Sequence, residues 1–306
     1  MAASIEQFIN SPAGLRIAHS ISRVTTPKVG YIIANLAAKA IVSLRHSAPV
    51  RAVRANQWVI AGEKGSPQYL DQAVQEVFQY SARSIYELYH CLQQPAVLGQ
   101  MFTIDPSFQA VFERREFDQR GLMVAGLHMA GFDLGLQWLC LSGFKPLVLT
   151  LPDPEGGRRL EYDTRRKTGV NLVPTSFTGM RQAFHHLQHG GMVLTGVDRP
   201  VTEGELCPRF FGRPSALPTH YVSLALKTQV PIVVIATRLD ADGRYHIHAS
   251  PVIEPGSFST EEGNLLSVTE NVLSVIEGFI RKTPRQWLIS LPVWPDIMSA
   301  VPGQFR

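Results

Sequence analysis

Two kinds of hydrophobic pattern divide the chain. From Leu70 to Leu92, apolar residues return at helical spacing (Leu70, Val74, Val77, Phe78, Ile85, Leu88, Tyr89, Leu92), which predicts an amphipathic helix with one face in a core. Before it, Val29 to Leu44 (VGYIIANLAAKAIVSL) is the most apolar stretch near the start. It is 16 residues long, is interrupted by Lys39 and is flanked by Lys28 and Arg45. A spanning helix needs about 20 mostly apolar residues, so this one falls short. Basic flanks and bulky Tyr31, Ile32 and Leu36 fit a helix lying in a membrane interface, and an ordinary helix packed on the domain fits as well. Beyond Leu122 the pattern changes to short apolar runs, Leu122–Leu127, Pro146–Leu151, Met192–Gly196 and Pro231–Leu239. Helical patterns at Ala130–Leu141, Phe177–Gln188 and Thr219–Thr228 lie between them. Such alternation predicts an α/β fold with a mostly parallel central sheet flanked by helices.

Asp240-Ala-Asp-Gly243 reads as a hairpin turn with Arg244–Ile253 as its returning strand, which makes one edge of the sheet antiparallel. Ser259–Lys282 reads as a helix capped by Ser259 or Thr260, with Glu261 and Glu262 in its first turn. Pro284 to Pro302 reads as irregular. The expected organisation is a helical, membrane-docking segment over residues 1–93, packed on an α/β core over 94–306 as one integrated domain.

Composition narrows the class. With 306 residues, 45% hydrophobic and 18% charged, the chain can bury a sizeable core, and disorder, collagen and a coiled coil are excluded. Lys plus Arg is 29 and Asp plus Glu is 25, a net +4 that suits an anionic cofactor or membrane surface and makes no case for nucleic acid. Cys91, Cys140 and Cys207 form no C-x-x-C pair and read as buried apolar residues in a reducing compartment. Met1–Asn10 shows no basic stretch leading into an apolar run, so no secretory signal is expected. None of the 24 glycines stands at a G-x-G spacing, and neither G-x-x-x-x-G-K nor G-x-S-x-G occurs. Dinucleotide fingerprints, P-loops and nucleophile elbows are therefore missing in standard form.

What remains is a base acting on a bound substrate. GLMVAGLHMAGFDLG places His128 at the end of a strand run and Asp133 five positions later. On one continuous helix these would point about 140° apart. With His128 in the strand-to-helix loop and Asp133 in the first helical turns, the carboxylate is expected to reach the imidazole, fix its tautomer and stabilise its protonated form. Gly126 and Gly131 give that loop freedom to turn back. His185, His186 and His189, and the pair His246 and His248, have spacings that zinc can use, although solvent-exposed histidines explain them equally and no HExxH is present.

Four segments in order, GLMVAGLHMAGFDLG, RRKTGVNLVP, GGMVLTGVDRP and PRFFGRPSALPTHYVSLALKTQVPIVVIATRLDADGRY, with TPRQWL near the end, resemble the bacterial lipid A biosynthesis acyltransferases. These belong to the wider lysophospholipid and glycerol-phosphate acyltransferase superfamily. The likeness runs from about Val53 to Leu288. It implies a membrane-associated O-acyltransferase that moves a fatty acyl group from acyl-CoA or acyl carrier protein to a hydroxyl of a lipid or glycolipid. No cofactor is implied beyond that co-substrate, and no metal. By similarity His128 is the general base and Asp133 its orienting carboxylate; the lipid A branch usually has Glu there and the glycerolipid branch Asp. Arg166 or its neighbour Arg165, with Arg166 preferred, would bind phosphate or the oxyanion. Asp198 matches the aspartate after the central strand, where it would hold an acceptor hydroxyl or organise Arg166 and Arg199. Arg199 itself resembles the branch that acylates mannosylated phosphatidylinositol. Phe210 and Phe211 would cover acyl chains or pack in the core, and Thr219 would cap the following helix. The resemblance places the enzyme at the cytoplasmic face of the inner membrane, peripherally bound, with Arg16, Arg23, Lys28, Arg45, Arg51 and Arg54 facing anionic head groups. Two other classes share the same residues: a thioester hydrolase, with water in place of the alcohol, and a non-catalytic lipid-binding module.

Overall fold

The computed structural model describes residues 12–91, 94–112, 120–151, 162–163, 165–201, 206–254 and 262–303. Four helices come first: α1 (Pro12–Val24), α2 (Pro27–Ser43), α3 (Ala48–Ile60) and α4 (Pro67–Cys91). Proline sits in the first turn of α2 and of α3, where a missing N–H costs nothing because those amides have no partner inside the helix. The faces of α2 are sorted by size. Gly30, Ala34 and Ala38, spaced one turn apart, are its buried residues and let it lie close on α4. A Cβ on Gly30 would stand 2.0 Å from Cζ of Tyr86, so the ring of α4 occupies the space that the glycine leaves. Two large apolar side chains of α2 point the other way, Ile32 and Leu36, each 60% exposed, while Ile41 and Val42 near its end pack on the core.

The chain continues through α5 (Pro95–Met101), β1 (Phe102–Ile104), α6 (Pro106–Phe112), β2 (Leu122–Gly126), α7 (Phe132–Leu141), β3 (Leu147–Thr150) and β4 (Asn171–Pro174). Next come α8 (Phe177–Gln188), β5 (Met192–Gly196), the short hairpin β6 (Arg209–Phe210) and β7 (Arg213–Pro214), and α9 (His220–Thr228). The last elements are β8 (Ile232–Leu239), β9 (Tyr245–Ala249), α10 (Glu262–Lys282) and two 3-10 turns, Pro284–Gln286 and Pro295–Ile297. Seven strands form one sheet in the order β1-β9-β8-β2-β5-β3-β4, and only the β8–β9 pair is antiparallel. The sheet is thus the mostly parallel one that the alternation predicts. Its centre is β2, whose Leu122, Met123, Val124 and Ala125 are all buried, as expected of a strand covered on both faces.

Several expectations needed adjustment. The returning strand β9 is not the outermost, because β1 pairs with it in parallel, Phe102 opposite Tyr245. Strands of three and four residues, β1 and β4, are too short to carry a period of their own. Ser259, Thr260 and Glu261, the expected cap region of the last helix, lie outside the described residues. Thr219 does stand at the start of α9, but its side chain makes no cap hydrogen bond. The proline-rich end is irregular yet belongs to the core: Trp287 and Trp294 are among the largest fully buried side chains. Polar residues of α3 hold it there. Asn56 Nδ2 donates to the carbonyls of Ile289 (3.1 Å) and Leu291 (2.9 Å), and Gln57 Nε2 to that of Pro284 (2.8 Å).

A buried carboxylate ties the N-terminal helices to the sheet. Glu87 of α4 is 1% exposed. Its Oε1 accepts from the Tyr31 hydroxyl of α2 and from Arg83 Nε, both at 2.8 Å, and its Oε2 accepts from the Tyr245 hydroxyl of β9 at 2.5 Å. Burial and the adjacent carboxylate push the Tyr31 hydroxyl well above its ordinary pKa, so it stays a donor. Glu87→Gln replaces one acceptor by an NH₂ and removes the counter-charge of Arg83. The variant should lose about 1–3 kcal/mol, seen as a lower urea midpoint at unchanged m-value.

Candidate active site

The register of two parallel strands builds the site. Gly126, the last residue of β2, is paired with Gly196, the last of β5. Two residues beyond each glycine, at the carboxyl edge of the sheet, His128 and Asp198 come face to face. His128 Nδ1 lies 2.6 Å from Asp198 Oδ1. The His128 backbone N–H donates to Asp198 Oδ2 at 2.9 Å, and the Trp287 indole N–H donates to the same oxygen at 2.8 Å. Asp198 is completely buried, whereas the His128 side chain is 23% exposed. Burial alone would raise the Asp198 carboxyl, but the His128 imidazole and the donated N–H groups outweigh it, and its pKa lies below the ordinary carboxylate value. An ionised carboxylate accepts only, so Nδ1 carries the proton and the lone pair stands on Nε2.

The carboxylate expected on the histidine was Asp133, and in this respect the structure differs. Asp133, in the first turn of α7, accepts from Arg165 Nε at 2.7 Å. Spacing within one segment shows which residues are near in sequence, whereas the partner of His128 arrives from a neighbouring strand 70 positions away. A signal for it was present. GLH and GVD place a histidine and an aspartate at the same offset after glycines that end two apolar runs, and parallel pairing of those runs brings them together.

The loop from His128 to Gly131 is pinned from several sides. The His128 carbonyl accepts from Leu288 N (2.9 Å), Ala130 N donates to the Gln286 carbonyl (2.8 Å), and Thr237 Oγ1 donates to the Ala130 carbonyl (2.8 Å). The Gln286 side chain in turn holds Leu239, accepting from its N–H at 2.8 Å and donating to its carbonyl at 2.7 Å. The segment TPRQWL is therefore the clamp of this loop, a role that its position late in the chain did not reveal. Gly131 has φ +75°, and a Cβ there would meet the Tyr245 ring at 2.4 Å, so the turn into α7 requires glycine twice over.

The other candidate residues are distributed as follows. Of the two arginines, Arg165 reaches Asp133; Arg166, preferred on the sequence, is exposed and lies over the Tyr162 ring with its guanidinium carbon 4.9 Å from the centroid. Asp198 is engaged by His128 and Trp287; Arg199 follows it, half-buried. Phe210 is 0% exposed and stacks on Trp294 at 5.7 Å, so it is core. Phe211 occupies the β6–β7 turn at φ 51°, with the Arg281 guanidinium 4.6 Å from its ring centroid. His185 and His186 lie on α8 and His189 at its C-cap, while His246 and His248 pair with Asp242 and Asp105, each at 3.1 Å. Among the described residues, no three His, Cys, Asp or Glu side chains are placed to hold a metal ion.

A histidine–carboxylate pair at the carboxyl edge of an α/β sheet, with the imidazole partly exposed, is the equipment for taking a proton from a hydroxyl. Compared with known families, residues 22–295 match the bacterial lipid A biosynthesis acyltransferases. The chain belongs to this family. It is an acyltransferase that acts on lipid. Searched against individual curated proteins, the acyltransferase matches none. The family match covers both the helices α2–α4 and the α/β core.

Two outcomes follow for the acyltransferase site. A Cβ at position 196 would stand 2.6 Å from His128 Cε1, so Gly196→Ala must displace the imidazole. A displacement of that size is expected to cut kcat about 100-fold while the far-ultraviolet dichroism is retained. Asp198, depressed when folded, contributes stability that is complete above about pH 4 and is lost as pH falls through its lower folded value. Trp287→Phe removes one donor and raises that value, so the loss of urea stability below about pH 4 should be smaller in total and level off at a higher pH than in the wild type.

Proposed function

We propose that the protein is a membrane-bound O-acyltransferase in which His128, oriented by Asp198, is the general base. The observation that carries this reading is the short Nδ1–carboxylate contact, which leaves the lone pair on Nε2 of a partly exposed side chain. Nε2 takes the proton of the acceptor hydroxyl as its oxygen attacks the thioester carbonyl of acyl-CoA or acyl carrier protein. The C–O bond forms, the C–S bond breaks as the tetrahedral intermediate collapses, and the leaving thiolate receives the proton from the imidazolium. The buried Asp198 supports the transient positive charge on the ring, as the aspartate does in serine hydrolases. Arg165, fixed by Asp133, is the guanidinium for a substrate phosphate or for the oxyanion. In this reading the carboxylate of the His-x4-Asp segment acts on an arginine and not on the base.

The lipid substrate is met at a bilayer. No helix among the described residues is long and apolar enough to cross a membrane. The outer face of α2 carries Val29, Ile32 and Leu36, and α1 adds Ile17 (49% exposed) and Val24 (83% exposed). Globular packing puts large apolar side chains inward; here Gly30, Ala34 and Ala38 are the buried residues while Val29, Ile32 and Leu36 stand outward, as suits a helix lying in an interface. From Gln7 to Gly62 there is no Asp or Glu but seven Lys or Arg, so this stretch is +7 and the remainder of the chain is 4 − 7 = −3. The basic excess is concentrated beside the apolar face, where it favours anionic head groups.

The test is transfer of label from acyl-CoA or acyl carrier protein to a lipid extract, resolved by chromatography and mass spectrometry. His128→Ala and Asp198→Asn should each lower the rate by about 10²–10⁴-fold, and Asp133→Asn should raise KM more than it lowers kcat. Release of free fatty acid without an acylated lipid would replace this reading by a hydrolase. Full transfer by His128→Ala would remove the base assignment.

A further inference from the structure

Resting on the membrane-docking reading, we infer that the exposed start of α8 is a second bilayer contact, in which Phe177 enters the interface and Arg181 meets anionic head groups. Phe177 is 87% exposed, more than any other large apolar side chain among the described residues. Packing holds it there. Ser176 caps α8, its hydroxyl accepting from Gly179 N at 3.2 Å. Gly179 is buried, and a Cβ there would stand 1.9 Å from the Pro174 carbonyl oxygen, so this side of α8 lies directly on the end of β4. Residues two apart on a helix point about 160° apart, and Phe177 is therefore directed away from the sheet.

Its neighbours match a bilayer. Leu151, which follows β3, is 43% exposed. The Thr175 N–H and hydroxyl both donate to the Thr150 carbonyl, at 2.8 and 2.9 Å, which ties the end of β3 to the turn before Phe177. Arg181 is exposed and stands one turn after Phe177 on the same face of α8, about 6 Å further from the tip. No Asp or Glu occurs between Thr164 and Val197, so α8 has no carboxylate of its own to oppose that charge. An apolar tip backed one turn later by a cation follows the order of acyl region and phosphate layer in a membrane.

Position selects the partner. The carboxyl ends of β2, β5, β3 and β4 stand side by side, and three strand spacings put the end of β4 roughly 14 Å from that of β2. On the other side of β2, Tyr31 of α2 reaches Glu87 and through it Tyr245, which is paired with Leu239 at the carboxyl end of β8. Along this edge His128 thus lies between the end reached by α2 and the end that carries Phe177. An enzyme that acts on lipid needs its substrate delivered to this edge, and contacts on both sides of His128 turn the edge towards the bilayer.

The test uses phosphatidylcholine vesicles with and without phosphatidylserine. Phe177→Asp puts a carboxylate in the first turn of α8, where it favours the helix, so folding is retained. Its affinity in co-sedimentation should fall about 10-fold with both kinds of vesicle. Arg181→Gln should lose roughly 5-fold with the anionic vesicles and nothing with the neutral ones. Phe177→Trp should show added emission, relative to wild type, that shifts to the blue on vesicles and is quenched by brominated lipid. Unchanged sedimentation of Phe177→Asp together with unquenched emission of Phe177→Trp would overturn the proposal. Unchanged vesicle binding with a raised KM for acyl carrier protein in Phe177→Asp and Arg181→Gln would overturn the bilayer as occupant and assign the surface to the donor protein. Ile32→Asp/Leu36→Asp keeps this contact apart from the docking reading of α2. If that variant sediments like wild type, docking through α2 fails, while quenching in Phe177→Trp still upholds the contact at α8. If it loses sedimentation and Phe177→Asp does not, docking through α2 stands and the contact at α8 falls.

Discussion

A single buried carboxylate draws together the segments at the carboxyl edge of this acyltransferase's sheet. Asp198 receives the imidazole and the backbone N–H of His128 and the indole of Trp287, which arrive from three parts of the chain. A charge that deep is tolerated only because every approach to it is a donor, and this is what keeps it ionised. The same contact determines the tautomer of His128, with Nδ1 as the donor. The clamp by Gln286 and Trp287, the glycines at 126, 131 and 196, and the anchoring of the C-terminal segment by Asn56 and Gln57 all serve to hold that one meeting point.

The second organising feature is the division of labour on α2. Gly30, Ala34 and Ala38 pack inward, Ile32 and Leu36 remain outside, and Tyr31 reaches Glu87 and, by way of that carboxylate, Tyr245. Tyr245 also fills the space beside Gly131, at the turn that follows His128. Helices α2 and α4 and the loop that carries His128 thus meet at one buried polar cluster.

Most of the architecture was legible from pattern alone. Runs such as Leu122–Leu127 and Pro231–Leu239 between helical periods describe strands buried on both faces, and the sheet they predict is the one observed. His128, expected at the end of such a run, stands two residues beyond β2 at the carboxyl edge of the sheet. The three-residue strand β1, the role of Trp287 and the burial of Phe210 were not legible, since each depends on what packs beside it and not on its neighbours in the chain.

The sequence by itself determined the α/β class, the place of His128 just after β2 and a basic N-terminal segment, because these follow from local periodicity, charge and motif. Only the tertiary structure decided which carboxylate His128 meets. Asp133 is close in sequence but is directed by its helix towards Arg165; Asp198 is 70 residues away but is carried to the imidazole by the pairing of β2 with β5. Strand register is set by hydrogen bonds between distant segments, and no spacing within one segment encodes it.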